Sequence, residues 1–218
     1  MYDINANFVF PLCDLENDNV KTHTLCPPED IDDMLHQRIG PDPSLALYAV
    51  LDKTTSSAAT VGDGNASGYA LAGVIGWIGA STAHLKAEIG FLIIFPAFQR
   101  KRIAVQSVGL LLRQALDLPS SPTNGWGLRR VIWQAYVQNE ASLRLAERMG
   151  FVQEGVMRWD RVHPVIDNVE DTTLQPRKGD PREENAGRHA VVLGLCWDDW
   201  EKERERILGL AQVEKPMN

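Results

Sequence analysis

The alternation of apolar and polar positions predicts a regular succession of strands and helices. Apolar or alternating runs predict strands at 20–25, 45–51, 68–79, 87–95, 131–137, 151–160 and 190–196. Apolar residues recur at the spacing of one helix face from Ala104 to Ala115, and helices are also predicted at 140–149 and 197–210. Residues 27–40 predict an earlier helix, because proline and acidic residues stand in its first turn. This order predicts an α/β fold with one central sheet.

Two parts of the chain lack this periodicity. Residues 53–67 are mainly serine, threonine, alanine and glycine, and residues 163–188 are rich in proline, glycine and charged side chains. Both compositions are typical of mobile loops, and the second also of an exposed or disordered insertion. We therefore expect one domain over residues 20–210, with an N-terminal extension at 1–19 and a tail at 211–218. The strand at 87–95 is almost continuously apolar, which predicts burial on both faces.

Composition and charge narrow the class of protein. The 218 residues carry a formal net charge of −7, which argues against nucleic acid as the main partner. No apolar run approaches the roughly 20 residues of a membrane span, and the acidic N-terminus lacks the layout of a signal peptide. The three cysteines are widely spaced, and the five histidines show no metal-binding spacing. We expect a cytoplasmic protein, with the nucleus as an open alternative, that binds neither membrane nor metal.

A small basic cluster stands out against this acidic background. Arg100, Lys101 and Arg102 follow the strand at 87–95 and precede the helix that starts near them. The first N–H groups of a helix have no partners within it and carry partial positive charge, so cations added there favour an anion such as a diphosphate. The alternative is a basic helix start that is simply solvated. Residues 1–40 carry a net charge of −6 and either flank the site of a cation or form a solvated surface.

A second informative segment runs from Gln134 to Arg158. A predicted strand ends here, Asn139 stands where a helix N-cap is expected, and Gly150 stands where that helix ends. From the residues alone, Asn139 is better explained as a cap than as a ligand.

Together the two segments resemble the GNAT superfamily of acyl-CoA-dependent N-acetyltransferases, in particular its RimJ/RimL-like branch, which acetylates the N-termini of ribosomal proteins. The family's phosphate loop has glutamine or arginine, two variable residues, glycine, one variable residue, and then glycine or alanine; residues 99–104, QRKRIA, lie in that register. The second signature matches Asn139, Ser142, Gly150 and Phe151. The resemblance covers about residues 20–160 and implies a single mixed, mostly antiparallel sheet flanked by helices.

The resemblance also implies roles for individual residues, with acetyl-CoA as the co-substrate. The backbone of Leu92, Ile93 and Ile94 would pair with the pantetheine arm. The backbone N–H groups of the phosphate loop would bind the pyrophosphate; these residues are Gln99, Arg100, Lys101, Arg102, Ile103 and Ala104. Asn139 and Ser142 would hydrogen-bond the lower pantetheine and the sulfur region. Glu88 stands where relatives often place the carboxylate base, and a substrate clamp or a strand-edge charge is the equal alternative.

Two positions depart from the family pattern. Arg102 replaces the glycine of the phosphate loop, so its side chain either adds charge or takes up space that the phosphate needs. Ala146 stands where many members carry a tyrosine that protonates the departing thiolate. Solvent or Ser142 is the expected substitute, with Tyr136 and His84 as further candidates.

The function implied is transfer of acetyl from acetyl-CoA to a primary amine by direct attack in a ternary complex. The acceptor is a protein N-terminus or a small-molecule amine, and the protein is a monomer or a homodimer. The alternative is a catalytically degenerate module of the same fold that binds an acyl-CoA or a partner protein.

Overall fold

One mixed sheet of eight strands organises the protein, in the order β1-β2-β3-β4-β5-β6-β8-β7. The computed structural model describes residue 10 and residues 15–24, 39–56, 69–162 and 174–213. The strands are β1 Leu15–Glu16, β2 Val20–Thr24, β3 Ala46–Ser56, β4 Tyr69–Ser81, β5 Lys86–Ile94, β6 Arg130–Tyr136, β7 Val152–Val162 and β8 Gly187–Cys196. Three α-helices lie in the described ranges: α1 Ile103–Leu116, α2 Glu140–Arg148 and α3 Trp197–Ala211. The predicted fold class is confirmed.

The predicted elements that lie in the described residues agree with the structure to within a few residues, with three differences. β3 continues to Ser56, into the segment predicted as a loop. The helix predicted to start near residues 99–102 begins at Ile103, because Pro96–Phe98 form a separate 3-10 turn first. Leu15–Glu16, inside the predicted extension, pairs with β2. The helix predicted at 27–40 lies almost wholly outside the described residues, as do most of the 53–67 loop and residues 163–173.

Contacts between residues divide the chain into two compact units. Unit 1 comprises residues 1–132 and 195–218, and unit 2 comprises residues 133–194. In unit 1 the two long helices approach closely, because Gly109 of α1 has no side chain. A Cβ built on Gly109 would lie 2.2 Å from the Cβ of Ala211 in α3. This close approach brings the end of α3 to the first half of α1.

Unit 1 also corrects one expectation from the sequence. Ala87 and Ile89 at the start of β5 are buried, but Ile93 near its end is 58% exposed. The strand is therefore not buried on both faces along its length. An apolar run shows only that the strand offers apolar surface, and the tertiary structure determines which part of that surface is covered.

Unit 2 is built on α2 and the antiparallel hairpin of β7 and β8. Gly150 follows α2 with a φ of +88°, the left-handed conformation expected of a helix-terminating glycine. Beside it, Phe151 packs edge-to-face on Trp133, with ring centroids 5.5 Å apart. In the ranges that the structure describes, no helix has the length and apolar character needed to cross a bilayer.

Candidate active site

A β-bulge interrupts β5 just before the residues predicted to bind pantetheine. Val74 pairs with Ile93 and Gly76 pairs with Gly90, so β5 has one more residue than β4 over this stretch. Phe91 lies in the bulge with a φ of +53°, which is uncommon for a residue other than glycine. The absence of a side chain at Gly76 leaves room for the Phe91 ring, which a Cβ there would approach to 3.1 Å. No sequence signal predicted this bulge.

The turn after β5 is closed by hydrogen bonds that set the start of the phosphate loop. Phe95 N donates to Ala72 O at 2.9 Å, and Pro96–Phe98 then form the 3-10 turn. The Gln99 side chain points back, with its Nε2 donating to Ile94 O at 3.1 Å. Gln99, the first residue of the predicted motif, thus stabilises the turn through its side chain.

The phosphate loop itself uses unusual backbone geometry. Arg100 and Arg102 have φ values of +63° and +65°, both in the left-handed region. Arg102 is the N-cap of α1, and its side chain makes no capping hydrogen bond to the first turn. The first N–H groups of α1 are therefore left for another acceptor, the arrangement in which a helix start binds anions.

The three predicted cations have three different environments. Within the described part of the chain, the Arg100 guanidinium makes no hydrogen bond or ion pair. The Lys101 ammonium lies 5.0 Å from the centroid of the Phe98 ring. The Arg102 Nη2 donates to Leu210 O at the end of α3, at 2.5 Å. The guanidinium of Arg102 is thus directed to the end of α3.

The buried carboxylate of Asp52 in β3 interacts electrostatically with Lys101, which follows β5. The carboxylate of Asp52 accepts hydrogen bonds from Thr54 N at 2.8 Å, from Thr54 Oγ1 at 2.6 Å and from Thr55 Oγ1 at 2.9 Å. Burial by itself raises the pKa of Asp52, but these hydrogen bonds and the charge of Lys101 outweigh it and lower the pKa. Asp52 is thus a stable anion that interacts electrostatically with Lys101.

The proposed base lies earlier on β5. Glu88 is opposite Ile78 of β4 and is half-buried. Leu92 and Ile94 are also half-buried, on the far side of the bulge. At about 3.3 Å per residue, the backbone from Glu88 to Leu92 spans roughly 13 Å, so the carboxylate and the predicted pantetheine residues occupy different parts of one strand.

In unit 2 the second signature forms a capped helix start. Asn139 is the N-cap of α2, and its Oδ1 accepts from Ser142 N at 3.1 Å. The Ser142 Oγ accepts from the indole Nε1 of Trp133 at 2.9 Å. Because the indole is only a donor, the hydroxyl proton of Ser142 is left to donate elsewhere. The cap explanation of Asn139 is confirmed, and Trp133 is a functional candidate that the sequence did not suggest.

Three other positions bear on protonation of the thiolate: Ala146, where relatives carry a tyrosine, and the candidates Tyr136 and His84. Ala146 is fully buried in α2. Tyr136 lies at the end of β6, with the Arg188 guanidinium 6.0 Å from its ring centroid. His84 is exposed in the turn between β4 and β5, and its backbone N donates to Ser81 Oγ at 3.2 Å.

Residues 24–152 match the family model described as an acetyltransferase (GNAT) domain. The chain belongs to the GNAT family. The uncharacterised N-acetyltransferase YoaA of Bacillus subtilis (strain 168) is 34% identical over 88 residues, which are 40% of this chain and 45% of YoaA. The match thus spans less than half the length of that relative.

Solved structures show the same fold at low identity. A GCN5-related N-acetyltransferase from Brucella melitensis superposes with a TM-score of 0.62 at 18% identity, covering 90% of this chain and 84% of that one. The spermidine/spermine N-acetyltransferase SpeG from Vibrio cholerae superposes with a TM-score of 0.52 at 17% identity, covering 80% of each chain. The fold of this GNAT protein is therefore shared with acetyltransferases of distant sequence.

A cavity of about 800 Å³ lies in unit 1 at the opposite end of α1 from the phosphate loop. Leu116 at the end of α1 lines it, and the helix is 14 residues long, so at 1.5 Å per residue the cavity is about 20 Å from Ile103. Its floor includes Asp117, which accepts from Arg204 Nε at 2.7 Å, Arg204 Nη2 at 2.8 Å and Trp200 Nε1 at 3.0 Å. None of the predicted site residues of this GNAT protein lines the cavity.

Cys196, Asp198 and Asp199 offer potential ligand atoms that lie within 4.8 Å of one another. Their geometry is already explained by the start of α3. Cys196 N donates to Asp199 Oδ2 at 3.3 Å, and the sulfur of Cys196 accepts from the backbone at Asp199. Cys196 and Asp199 therefore form a capping box at the helix start, and Asp198 is its exposed neighbour.

Proposed function

We propose that this GNAT protein transfers acetyl from acetyl-CoA to a primary amine, by direct attack of the amine on the thioester. The observation that carries the proposal is the phosphate loop, in which an uncapped helix start, left-handed backbone at two positions and the guanidinium of Arg100 lie together. A compact dianion such as the pyrophosphate of CoA fits this combination of N–H donors and cation.

The end of β5 supports the proposal for the pantetheine arm. After the bulge at Phe91, Ile93 and Ile94 pair with β4 again, and Leu92, Ile93 and Ile94 present half-buried or exposed apolar side chains beside their backbone groups. Ile94 O accepts from Gln99, so the backbone groups of Leu92 and Ile93 are the better candidates to pair with the amides of pantetheine. Main-chain hydrogen bonds would bind the amide groups of pantetheine to this strand, as they bind an extended peptide that adds to the edge of a sheet.

We propose Ser142 as the donor toward the sulfur and Asn139 as the residue that positions it. Asn139 caps the helix at Ser142 N, and Trp133 Nε1 occupies an acceptor site of the hydroxyl. The Ser142 proton is then left to donate to a thioester or thiolate sulfur. As the C–S bond breaks, this hydrogen bond stabilises the thiolate before solvent protonates it, which substitutes for the tyrosine that Ala146 replaces.

The amine must be neutral to attack, and Glu88 is the proposed base. At pH 7, deprotonating a lysine-type amine costs about 4.6 kcal/mol and an α-amine about 1 kcal/mol, from pKa values near 10.4 and 7.8. Glu88 takes the proton lost by the nitrogen as the new N–C bond forms, directly or through water. The low cost for an α-amine favours a protein N-terminus as acceptor, in keeping with the RimJ/RimL-like resemblance.

Calorimetric titration with acetyl-CoA and CoA, followed by acetylation assays on peptides with free N-termini and on polyamines, tests the proposal. We expect micromolar cofactor binding and acetylation of at least one amine class. Binding without acetylation of any amine supports instead the degenerate acyl-CoA-binding module. The absence of binding up to millimolar cofactor contradicts both and leaves a protein-interaction module.

A further inference from the structure

One arginine joins the start of α1 to the end of α3. The main chain of Arg102 begins α1, since Gln106 N donates to Arg102 O at 3.0 Å, while its side chain donates to Leu210 O at 2.5 Å. The last carbonyl groups of a helix carry partial negative charge, so a guanidinium there is electrostatically favourable as well as hydrogen-bonded. The residue in the family's glycine position thus spans two helices.

Other hydrogen bonds hold the same end of α3. Gln106 Nε2 donates to Gln212 Oε1 at 2.8 Å, and Asn19 Nδ2 donates to the same oxygen at 3.2 Å. Asn17 Nδ2 donates to Ala211 O at 3.2 Å. The end of α3 is therefore fixed by neighbours in unit 1, and Arg102 connects this fixed point to the phosphate loop.

We propose that Arg102 is a positioning residue, which holds the phosphate loop in its binding conformation through Leu210 O and does not itself contact the phosphates. The inference rests on the proposed function, because it assigns a role in binding the pyrophosphate of CoA. It assigns the direct charge contact to Arg100, whose guanidinium makes no hydrogen bond or ion pair within the described residues.

The backbone conformation explains why a tether is needed at this position. A φ of +65° is natural for glycine and strained for other residues, so the surrounding structure must hold the loop there. Glycine would adopt the conformation without strain but would also leave it free to change. Arginine keeps one conformation by fastening its side chain to a second helix.

The test compares variants that separate tethering from charge. Arg102→Ala retains the strain and loses the tether, whereas Arg102→Gly loses both and keeps the protein testable if the alanine variant fails to fold. Arg100→Gln is the matched control for loss of one cation. Two quantities are measured on each variant: backbone amide hydrogen exchange at residues 208–212 without cofactor, and CoA affinity over a series of salt concentrations.

We expect Arg102→Ala to raise exchange at 208–212 at least fivefold and to weaken CoA binding about tenfold, with an unchanged salt dependence of the affinity. Arg100→Gln should leave exchange unchanged and make the affinity less salt-dependent. Gln212→Ala should weaken CoA binding less in the Arg102→Ala background than in the wild type, because both residues act through the same end of α3.

Three results would overturn the inference, and they are distinguishable. A reduced salt dependence in Arg102→Ala shows that Arg102 contacts phosphate directly. Faster exchange with unchanged CoA affinity shows that the tether is purely structural. Absence of CoA binding by the wild-type protein removes the proposed function itself, and the exchange result then describes only a helix contact.

Discussion

The indole Nε1 of Trp133 donates to the Ser142 Oγ at 2.9 Å, which joins the middle of β6 to the first turn of α2. Both residues belong to unit 2, and Trp133 is 3% exposed. The hydrogen bond occupies one acceptor position of the hydroxyl and leaves its proton to donate to another group. This contact gives Ser142 a defined direction that a serine on a helix surface otherwise lacks.

Ser142→Ala should lower kcat about tenfold with little change in KM for acetyl-CoA, because the lost hydrogen bond forms mainly with the developing thiolate. Trp133→Phe keeps most of the ring and removes the donor, so kcat should fall about threefold. Steady-state kinetics with acetyl-CoA and with the amine measures the changes in kcat and in KM separately. Trp126→Phe, a buried tryptophan in unit 1, is the control; an equal loss of kcat there would discard the special role of Trp133.

Glu88→Gln should lower turnover while CoA affinity stays nearly constant, because the amide cannot accept the proton of the amine. The loss should be larger for a polyamine than for a peptide N-terminus, since deprotonation costs about 3.5 kcal/mol more for the former at pH 7. Turnover rates of wild type and Glu88→Gln on a polyamine and on a peptide, from pH 6 to 9, measure this difference. Glu183→Gln, at an exposed position, is the control. Equal turnover of wild type and Glu88→Gln would show that Glu88 is not the base.

Replacing Arg100 and Lys101 together by glutamate should weaken acetyl-CoA binding more than tenfold and flatten its salt dependence, because two cations at the phosphate loop become anions. Titration calorimetry at low and high salt measures both effects. Arg177 and Lys178 form a matched exposed pair in unit 2, and their replacement by glutamate should leave binding within twofold. If both double variants weaken binding equally, the effect is one of net charge.

Asp117→Asn should lower the free energy of unfolding by about 2–4 kcal/mol at pH 7, because it leaves the Arg204 charge partly buried without its partner. Burial raises the pKa of Asp117, but hydrogen bonds from Arg204, Thr123 and Trp200 outweigh it and lower the pKa below its ordinary value. A carboxyl with a lowered folded pKa stabilises above its unfolded pKa and loses that contribution as pH falls through the folded value.

Urea unfolding of wild type and Asp117→Asn measures this difference as a function of pH. It should be constant from pH 7 to 5 and shrink below about pH 4. Glu203→Gln removes an exposed pair with Arg206 and should change stability by less than about 1 kcal/mol. A difference that grows as the pH falls would contradict the assignment.

Gly109→Ala should destabilise the protein by about 1–3 kcal/mol, because the added Cβ would lie 2.2 Å from the Cβ of Ala211 and must push the helices apart. Gly209→Ala in α3 is the matched control, since nothing lies within 4 Å of a Cβ built there. That change should stabilise the protein by up to about 1 kcal/mol through helix propensity. Thermal and urea unfolding distinguish the two; equal effects would mean that α1 and α3 can separate freely.

The sequence alone predicted most of the described elements and the two motifs. Periods of two and 3.6 residues predicted the strands and helices, because each period follows from local backbone geometry. The motif spacing predicted a phosphate loop at 99–104 and a helix cap at Asn139, and the cap is present in the structure. These predictions did not depend on contacts between residues that are distant in the sequence.

Only the tertiary structure decided how particular side chains are used. Arg102 bonds to Leu210, 108 residues away, and Asp117 bonds to Arg204, 87 residues away. A Cβ on Gly76 would lie 2.2 Å from Ala46 O of β3 and 3.1 Å from the Phe91 ring in the bulge of β5. Contacts of this kind are set by packing between distant segments, and local sequence patterns carry no record of them. The basic cluster that the sequence shows as three equal charges is therefore, in the folded protein, one open guanidinium, one ammonium against an aromatic ring and one tether between helices.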